Sequence, residues 1–150
     1  MDSTTREATT RLGNDLLHQL TTANRYRYKL RCLIETRSSG VLYEARYRIF
    51  VVGGEAENYT LTVDDYSGNR NIGDAMRFHD GMAFTTYDRD NGRLSTGNCA
   101  QQDGGGFWHN ACYKAGITVM NGGEGGAGFT WYSSLGFNEK LNSASMWLTC

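Results

Sequence analysis

The side chains best placed to do chemistry lie between Asp88 and Cys112, in DRDNGRLSTGNCAQQDGGGFWHNAC. Asp88, Asp90 and Asn91, beside Gly92, set hard oxygen donors at alternate positions, as a calcium loop does. The same D-x-D-N run also reads as a solvated turn. Cys99 and Cys112 bracket Gly104, Gly105 and Gly106, a backbone free to take positive φ, which leads straight into Phe107 and Trp108. A zinc reading through Cys99, His109 and Cys112 lacks a fourth ligand. A hydrolase or metal-enzyme reading would draw on His79, Asp80, Asp88, Asp90 and His109. No nucleophile elbow, H-E-x-x-H or P-loop accompanies those residues.

The elements that must carry this loop are short. The chain has 150 residues, enough for one domain with a real core. With 15 Lys and Arg against 16 Asp and Glu, its net charge of −1 gives no field for a nucleic acid. No apolar run approaches the ~20 residues that cross a bilayer, so no membrane insertion is expected. The opening MDSTTREATTR has no apolar core of a signal peptide, and residues 1–10 read as a disordered lead-in. With 19 Gly, no Pro, 9 Tyr, 6 Phe and 3 Trp, the composition is that of a loop-rich extracellular module.

From Arg11, RLGNDLLHQLTT places Leu12, Leu16, Leu17 and Leu20 at helical spacing, with His18 a structural histidine. Tyr26 to Glu35 alternates, with Tyr26, Tyr28, Leu30, Cys32 and Ile34 on one face and Arg27, Lys29 and Arg31 on the other. That basic row reads as an exposed strand face. Ser38-Ser39-Gly40 turns the chain into a return strand, Val41 to Phe50. Tyr59 to Val63 predicts a third strand and Ser145 to Cys150 a last one. Met76, Phe78, Met82 and Phe84 are expected to pack a small core under the loops. The fold class is α+β: a mainly antiparallel sheet, short helices and a loop-rich ligand region. Asn58-Tyr59-Thr60 is a glycosylation sequon. The four cysteines, Cys32, Cys99, Cys112 and Cys150, permit three pairings. Cys32 and Cys150 are left open as buried thiols or a second bridge.

The succession DRDN, GNCA, GGGFW and a second cysteine resembles the fibrinogen-related domain of fibrinogen, ficolins, angiopoietins and invertebrate lectins. Supporting matches are Leu12-Gly13-Asn14-Asp15 with His18, Leu20 and Thr21; Tyr66-Ser67-Gly68-Asn69; Gly73-Asp74-Ala75-Met76 with His79, Gly81, Met82, Phe84 and Thr85; and Gly128-Phe129-Thr130-Trp131. The resemblance covers about residues 11–150. It implies a central sheet region of about 11–64 plus the closing strand 145–150, and a ligand and calcium region of about 65–144. The family's N-terminal subdomain has no counterpart in the sequence, so oligomers would form through a region outside it.

What the resemblance implies for function is a secreted, non-catalytic recognition module, lectin-like or protein-binding, of innate-immune or adhesion type. A truncated structural or regulatory fragment is the further alternative beside the hydrolase. The resemblance pairs Cys99 with Cys112 and makes the Ala111–Cys112 peptide cis. The ligand pocket would involve Gln102, Asp103, Trp108, His109, Ala111, Cys112, Tyr113 and Trp131. Acetyl-binding relatives carry a tyrosine, a histidine and a second tyrosine where this chain has Asp103, Tyr113 and about Gly125. Gln102-Asp103 instead resembles the Gln-Asp of the fibrinogen γ-chain pocket, which receives a basic peptide terminus. The ligand is therefore expected to be cationic rather than acetylated. The calcium loop, with Asp90, Asp88 and carbonyls near Ser95 and Gly97, has Gly92 where the family has a second acid. Weak or absent calcium binding is expected.

Overall fold

The computed structural model describes residues 12–24, 27–118, 130–136 and 139–150. The lead-in 1–10, Tyr26, the glycine-rich 122–126 and Gly128-Phe129 lie outside the described residues. Four strands form one antiparallel sheet: β1 (Lys29–Thr36), β2 (Leu42–Val52), β3 (Leu61–Gly68) and β4 (Leu141–Thr149). Their order is β3-β2-β1-β4, so the strand nearest the C-terminus closes the sheet against β1. The architecture is α+β, as the sequence pattern predicts.

Alternation in KLRCLIET decides which face is buried. Leu30, Cys32 and Ile34 are at most 2% exposed. On the opposite face the Glu44 carboxylate binds both Arg31 and Arg46, which hold its pKa below the usual carboxylate range. The β1–β2 hairpin turns at Gly40, whose φ of 64° is open to glycine at no steric cost. β2 buries Ala45 and Tyr47, then changes phase and buries Phe50 and Val52. The change falls where Arg48 and Asp65 drop out of the ladder, with Asp65 at φ 57° and the two side chains joined as an ion pair at 2.6 Å.

The third strand starts at Leu61, not Tyr59, and runs on to Gly68. Asn58 and Tyr59 are held in the left-handed region, at φ 51° and 53°, which cannot enter a ladder. The last strand likewise begins earlier than Ser145, at Leu141, which is 1% exposed and pairs with Thr36 across a bulge. Asn142 and Ser143 both donate to the Glu35 carboxylate there.

The helix α1 (Asn14–Ala23) starts three residues later than Arg11 and docks on the end of β2. His18 Nδ1 donates to Val52 O at 2.9 Å, and Val52 N donates to Thr21 Oγ1 at 3.0 Å. These bonds occupy the backbone of the last β2 residue. His18 is thereby structural, as expected. One hydrophobic cluster joins Leu30, Ile34, Phe50 and Val63 of the sheet to Met76, Met82, Phe107, Trp108 and Trp131 of the loops. The sheet is the floor on which the loop region sits.

Candidate ligand pocket

A five-residue helix, α2 (Cys99–Asp103), stands at the centre of the loop region. So short a helix cannot hold itself in water. Asn98 caps it: its Oδ1 accepts from Ala100 N at 2.8 Å, while its Nδ2 donates to Thr86 O and Tyr87 O. Gly104, at φ 75°, ends it in the left-handed turn that glycine favours. Beyond it, Phe107 exchanges both backbone hydrogen bonds with Thr85, at 2.9 and 3.1 Å. A Cβ on Gly106 would stand 3.1 Å from the Phe84 ring and 3.3 Å from Thr85 O, so glycine relieves a tight approach here.

Cys99 and Cys112 are disulfide-bonded across 5.4 Å between Cα atoms, and the Ala111–Cys112 peptide is cis. Both features match the expectations drawn from the resemblance. Cys32 and Cys150 are free thiols, one buried and one exposed, so no second bridge joins them. Burial, reinforced by Asp74, pushes the Cys32 thiol pKa far up.

His79 ties the two arms of the disulfide loop together. Its Nδ1 donates to Trp108 O at 2.8 Å, and its Nε2 accepts from Lys114 N and Ala115 N, both at 3.1 Å. The ring is fully buried, and that burial lowers its pKa to about 4. Its neighbour Asp80 accepts from Val63 N. His79 therefore presents no reacting group to solvent.

Among the described residues, four buried polar side-chain atoms have no partner: Lys140 Nζ, and, in this loop region, Asp103 Oδ2, His109 Nδ1 and Tyr113 Oη. His109 is fully buried, and its Nε2 lies 2.9 Å from Gly105 O. A carbonyl only accepts, so Nε2 carries the hydrogen and Nδ1 keeps a bare lone pair. Asp103 Oδ2 is likewise an acceptor. Burial raises the Asp103 pKa, with His109 opposing; burial and then Asp103 push the Tyr113 hydroxyl to about 12. Each unpaired buried atom costs about 1–3 kcal/mol, and together they point to an occupant that donates hydrogen bonds.

Of the other expected ligand residues, Gln102 and Ala111 are exposed. Trp108 is 3% exposed and Trp131 fully buried, with their indole N–H groups donating to Tyr59 O and Gly73 O. Both rings belong to the hydrophobic cluster that joins sheet and loops. Sequence reasoning missed Asn98 as the helix cap and Gly105 as the acceptor that fixes the His109 tautomer. The GNCA string carries a cap signal; nothing in the sequence marks the Gly105 carbonyl.

Ligand atoms of Cys99, Asp103 and His109 lie within 4.8 Å of one another. They do not fit a metal, because a sulfur committed to a disulfide is no thiolate ligand. The same bond overturns the zinc reading of Cys99, His109 and Cys112. In the calcium-like loop, Asp88 Oδ1 accepts from the Thr86 hydroxyl and Asp90 Oδ1 from Gly92 N. Asn91 turns inward, donating to Phe84 O. The Asp88 pKa falls below its ordinary value, chiefly through the Thr86 hydrogen bond. Ser95 is exposed and Gly97 lies against Gln102. Arg93 N donates to Asn110 O, joining this loop to the pocket wall.

The antiparallel sheet, the disulfide loop and its cis peptide together define a fibrinogen-like recognition fold. The sequence profile for the C-terminal globular domain of fibrinogen beta and gamma chains matches residues 4–150, and the chain belongs to this family. Human tenascin-N is 41% identical over 104 residues, 69% of this chain but 8% of the relative. The human fibrinogen gamma chain is 38% identical over 116 residues, 68% of this chain and 25% of the relative. The fibrinogen-like globe domain of human ANGPTL2 superposes with a TM-score of 0.77 at 33% identity, covering 91% of this chain and 63% of that one. Lamprey fibrin D-dimer, solved with the peptide Gly-His-Arg-Pro-amide, gives 0.71 at 26% identity, covering 91% of this chain and 48% of that one. The chain thus spans less than two thirds of these relatives' lengths.

Proposed function

We propose that this chain is a non-catalytic recognition module of the extracellular space, whose pocket beside the Cys99–Cys112 disulfide receives a cationic group from a protein or peptide ligand. The observation that carries this reading is the set of unpaired atoms at Asp103, His109 and Tyr113. Two are pure acceptors and the third is a hydroxyl, so the complement is a group rich in N–H donors with positive charge. An acetyl group offers a methyl and a carbonyl, which answer neither acceptor. The peptide held by the lamprey fibrin relative has both a terminal amine and an arginine. Membership of a family that includes fibrinogen and tenascin chains supports an extracellular setting, in which glycosylation at Asn58 is expected. The hydrolase reading has less support, since both ring nitrogens of His79 are engaged by backbone groups and Asp80 gives one carboxylate oxygen to Val63 N. Calcium is at most a weak ligand of the Asp88–Asp90 loop.

Titration calorimetry with Gly-His-Arg-Pro-amide and with N-acetylglucosamine tests the reading. The peptide should bind, and Asp103→Asn should weaken it at least about tenfold, because charge-assisted hydrogen bonds are worth roughly 1.5–3 kcal/mol. Tight N-acetylglucosamine binding that survives Asp103→Ala would overturn it.

A further inference from the structure

We propose that the row Trp147, Arg31 and Arg46, on the face of the sheet away from the loops, is a second binding site whose ligand is a sulfated glycosaminoglycan chain. The site is separate from the pocket and takes from the recognition reading only its extracellular setting.

Register builds the row. Arg31 is the direct partner of Trp147 on β4 and of Arg46 on β2, so the three side chains leave the same face of neighbouring strands. With strands about 4.8 Å apart, the row spans about 10 Å. The buried residues Leu30, Cys32 and Ile34 join the hydrophobic cluster from the other face. Two arginines directly opposite each other repel, which a sheet built for stability alone avoids. Glu44 offsets that repulsion with a single oxygen, Oε1, which accepts from the Nε of both arginines. A guanidinium has five N–H donors, so each keeps its terminal amino groups, which have no partner among the described residues. The Arg31 and Arg46 side chains are 41% and 60% exposed, and Glu44, at 17%, leaves the pair uncovered. Two planar forks therefore stand side by side, fixed at their Nε edges and open at their ends. That geometry takes an oxyanion through paired N–H···O bonds.

The surroundings select the anion. Lys29 is exposed two residues before Arg31, and one register step beyond Leu30 and Tyr47 brings it level with Arg48. These four cations meet two carboxylates, Glu44 and the Asp65 that pairs with Arg48. The whole chain carries a net charge of −1, so the excess is local to this face. Beside Arg31 the partly exposed Trp147 is pinned by its own indole N–H, which donates to Ser145 Oγ at 2.7 Å. Sugar rings stack their C–H faces on such an indole, whereas a free phosphate makes no use of it. A row of indole and guanidinium forks thus fits a chain that joins sugar rings to sulfate esters. A single-stranded nucleic acid also combines stacking with anions, and the extracellular setting favours the glycan over it.

Two measurements on the full chain test this. Titration calorimetry with a heparin oligosaccharide should show binding that weakens as salt rises, because ion contacts release counterions. Arg31→Gln with Arg46→Gln should weaken binding at least about tenfold and flatten its salt dependence. Arg31→Lys with Arg46→Lys keeps the charge but loses the forks, and should recover only part of the affinity. Arg89→Gln with Arg93→Gln, an equal loss of charge on the loop side, should leave binding unchanged. Equal binding by desulfated heparin, by single-stranded DNA or by the paired lysine variant would overturn the proposal, as would no binding by wild type. The second measurement uses wild type alone: the indole N–H resonances followed by nitrogen NMR. Trp147 should shift as the oligosaccharide is added. Trp108 and Trp131, buried and bonded to Tyr59 O and Gly73 O, should not. A Trp147 resonance that stays in place would overturn the proposal. The peptide pocket enters neither measurement, so failure here leaves the recognition reading standing.

Discussion

A proton on His79 Nε2 would displace two backbone donors, Lys114 N and Ala115 N, and leave a charge in the core. That makes this histidine an acid-sensitive pin. Its folded pKa of about 4 lies below the ordinary 6.5, so the unfolded chain takes up the proton first. Stability from this group is therefore complete above about pH 6.5 and is lost as pH falls towards 4. The loss should total roughly 3 kcal/mol, at about 1.4 kcal/mol per pKa unit. Urea denaturation at intervals between pH 7 and pH 4 should show the decline. His79→Leu should flatten it in that window while lowering stability at pH 7, since three backbone groups lose their partner. A variant as acid-sensitive as wild type would assign the decline elsewhere. The sequence placed His79 among possible reacting groups because its partners are remote: Trp108 and the Lys114–Ala115 pair come from across the loop. His18 was legible because it sits within a helical pattern. Asp103 and Tyr113 could be named from the resemblance, but their unpaired state arises only in three dimensions.

Among the elements, those with a period of their own were the most legible. The buried row Leu30, Cys32, Ile34 follows directly from alternation. The phase change in β2 was not legible, because it depends on Asp65 adopting positive φ, a choice set by pairing with its neighbour strand. The start of β3 was misplaced for the same reason: Tyr59 has strong strand propensity, yet its φ of 53° overrides it. Aperiodic elements such as the calcium-like loop follow from hydrogen bonds instead. Asp88 and Asp90 each commit one carboxylate oxygen to a local donor, Thr86 or Gly92, and Gly92 brings no carboxylate of its own. Calcium takes about 6–8 oxygens, and its affinity follows ligand charge. Titration calorimetry should find a dissociation constant in the millimolar range or weaker. A micromolar constant abolished by Asp90→Ala would show that the loop rearranges into a full site.

At the scale of the whole molecule, β4 returns from the far end of the sequence to pair with β1, and the loop region between β3 and β4 shares one hydrophobic cluster with the sheet. Phe50 of β2 meets the Trp108 ring edge-on, at 6.2 Å between centroids, so sheet and pocket wall are not separable layers. Cooperative unfolding follows from that shared core. The Cys99–Cys112 bridge constrains a span of 13 residues, which in the chain-entropy model is worth about 3 kcal/mol. Replacing both cysteines with serine should therefore lower global stability by about that amount while leaving one transition. Far-ultraviolet dichroism, which reports the sheet, and tryptophan fluorescence of a background carrying Trp147→Phe in β4, which then reports Trp108 and Trp131 beneath the loops, should fall together in urea. If fluorescence falls first and the sheet signal persists, the loop region is a unit of its own and the shared cluster does not couple it to the sheet. The thiols give an independent reading of the same equilibrium. In native protein, exposed Cys150 should react with a thiol reagent at once, whereas buried Cys32 should react only as the sheet opens. Its labelling rate should rise in the serine variant exponentially with the stability lost, about tenfold for each 1.4 kcal/mol.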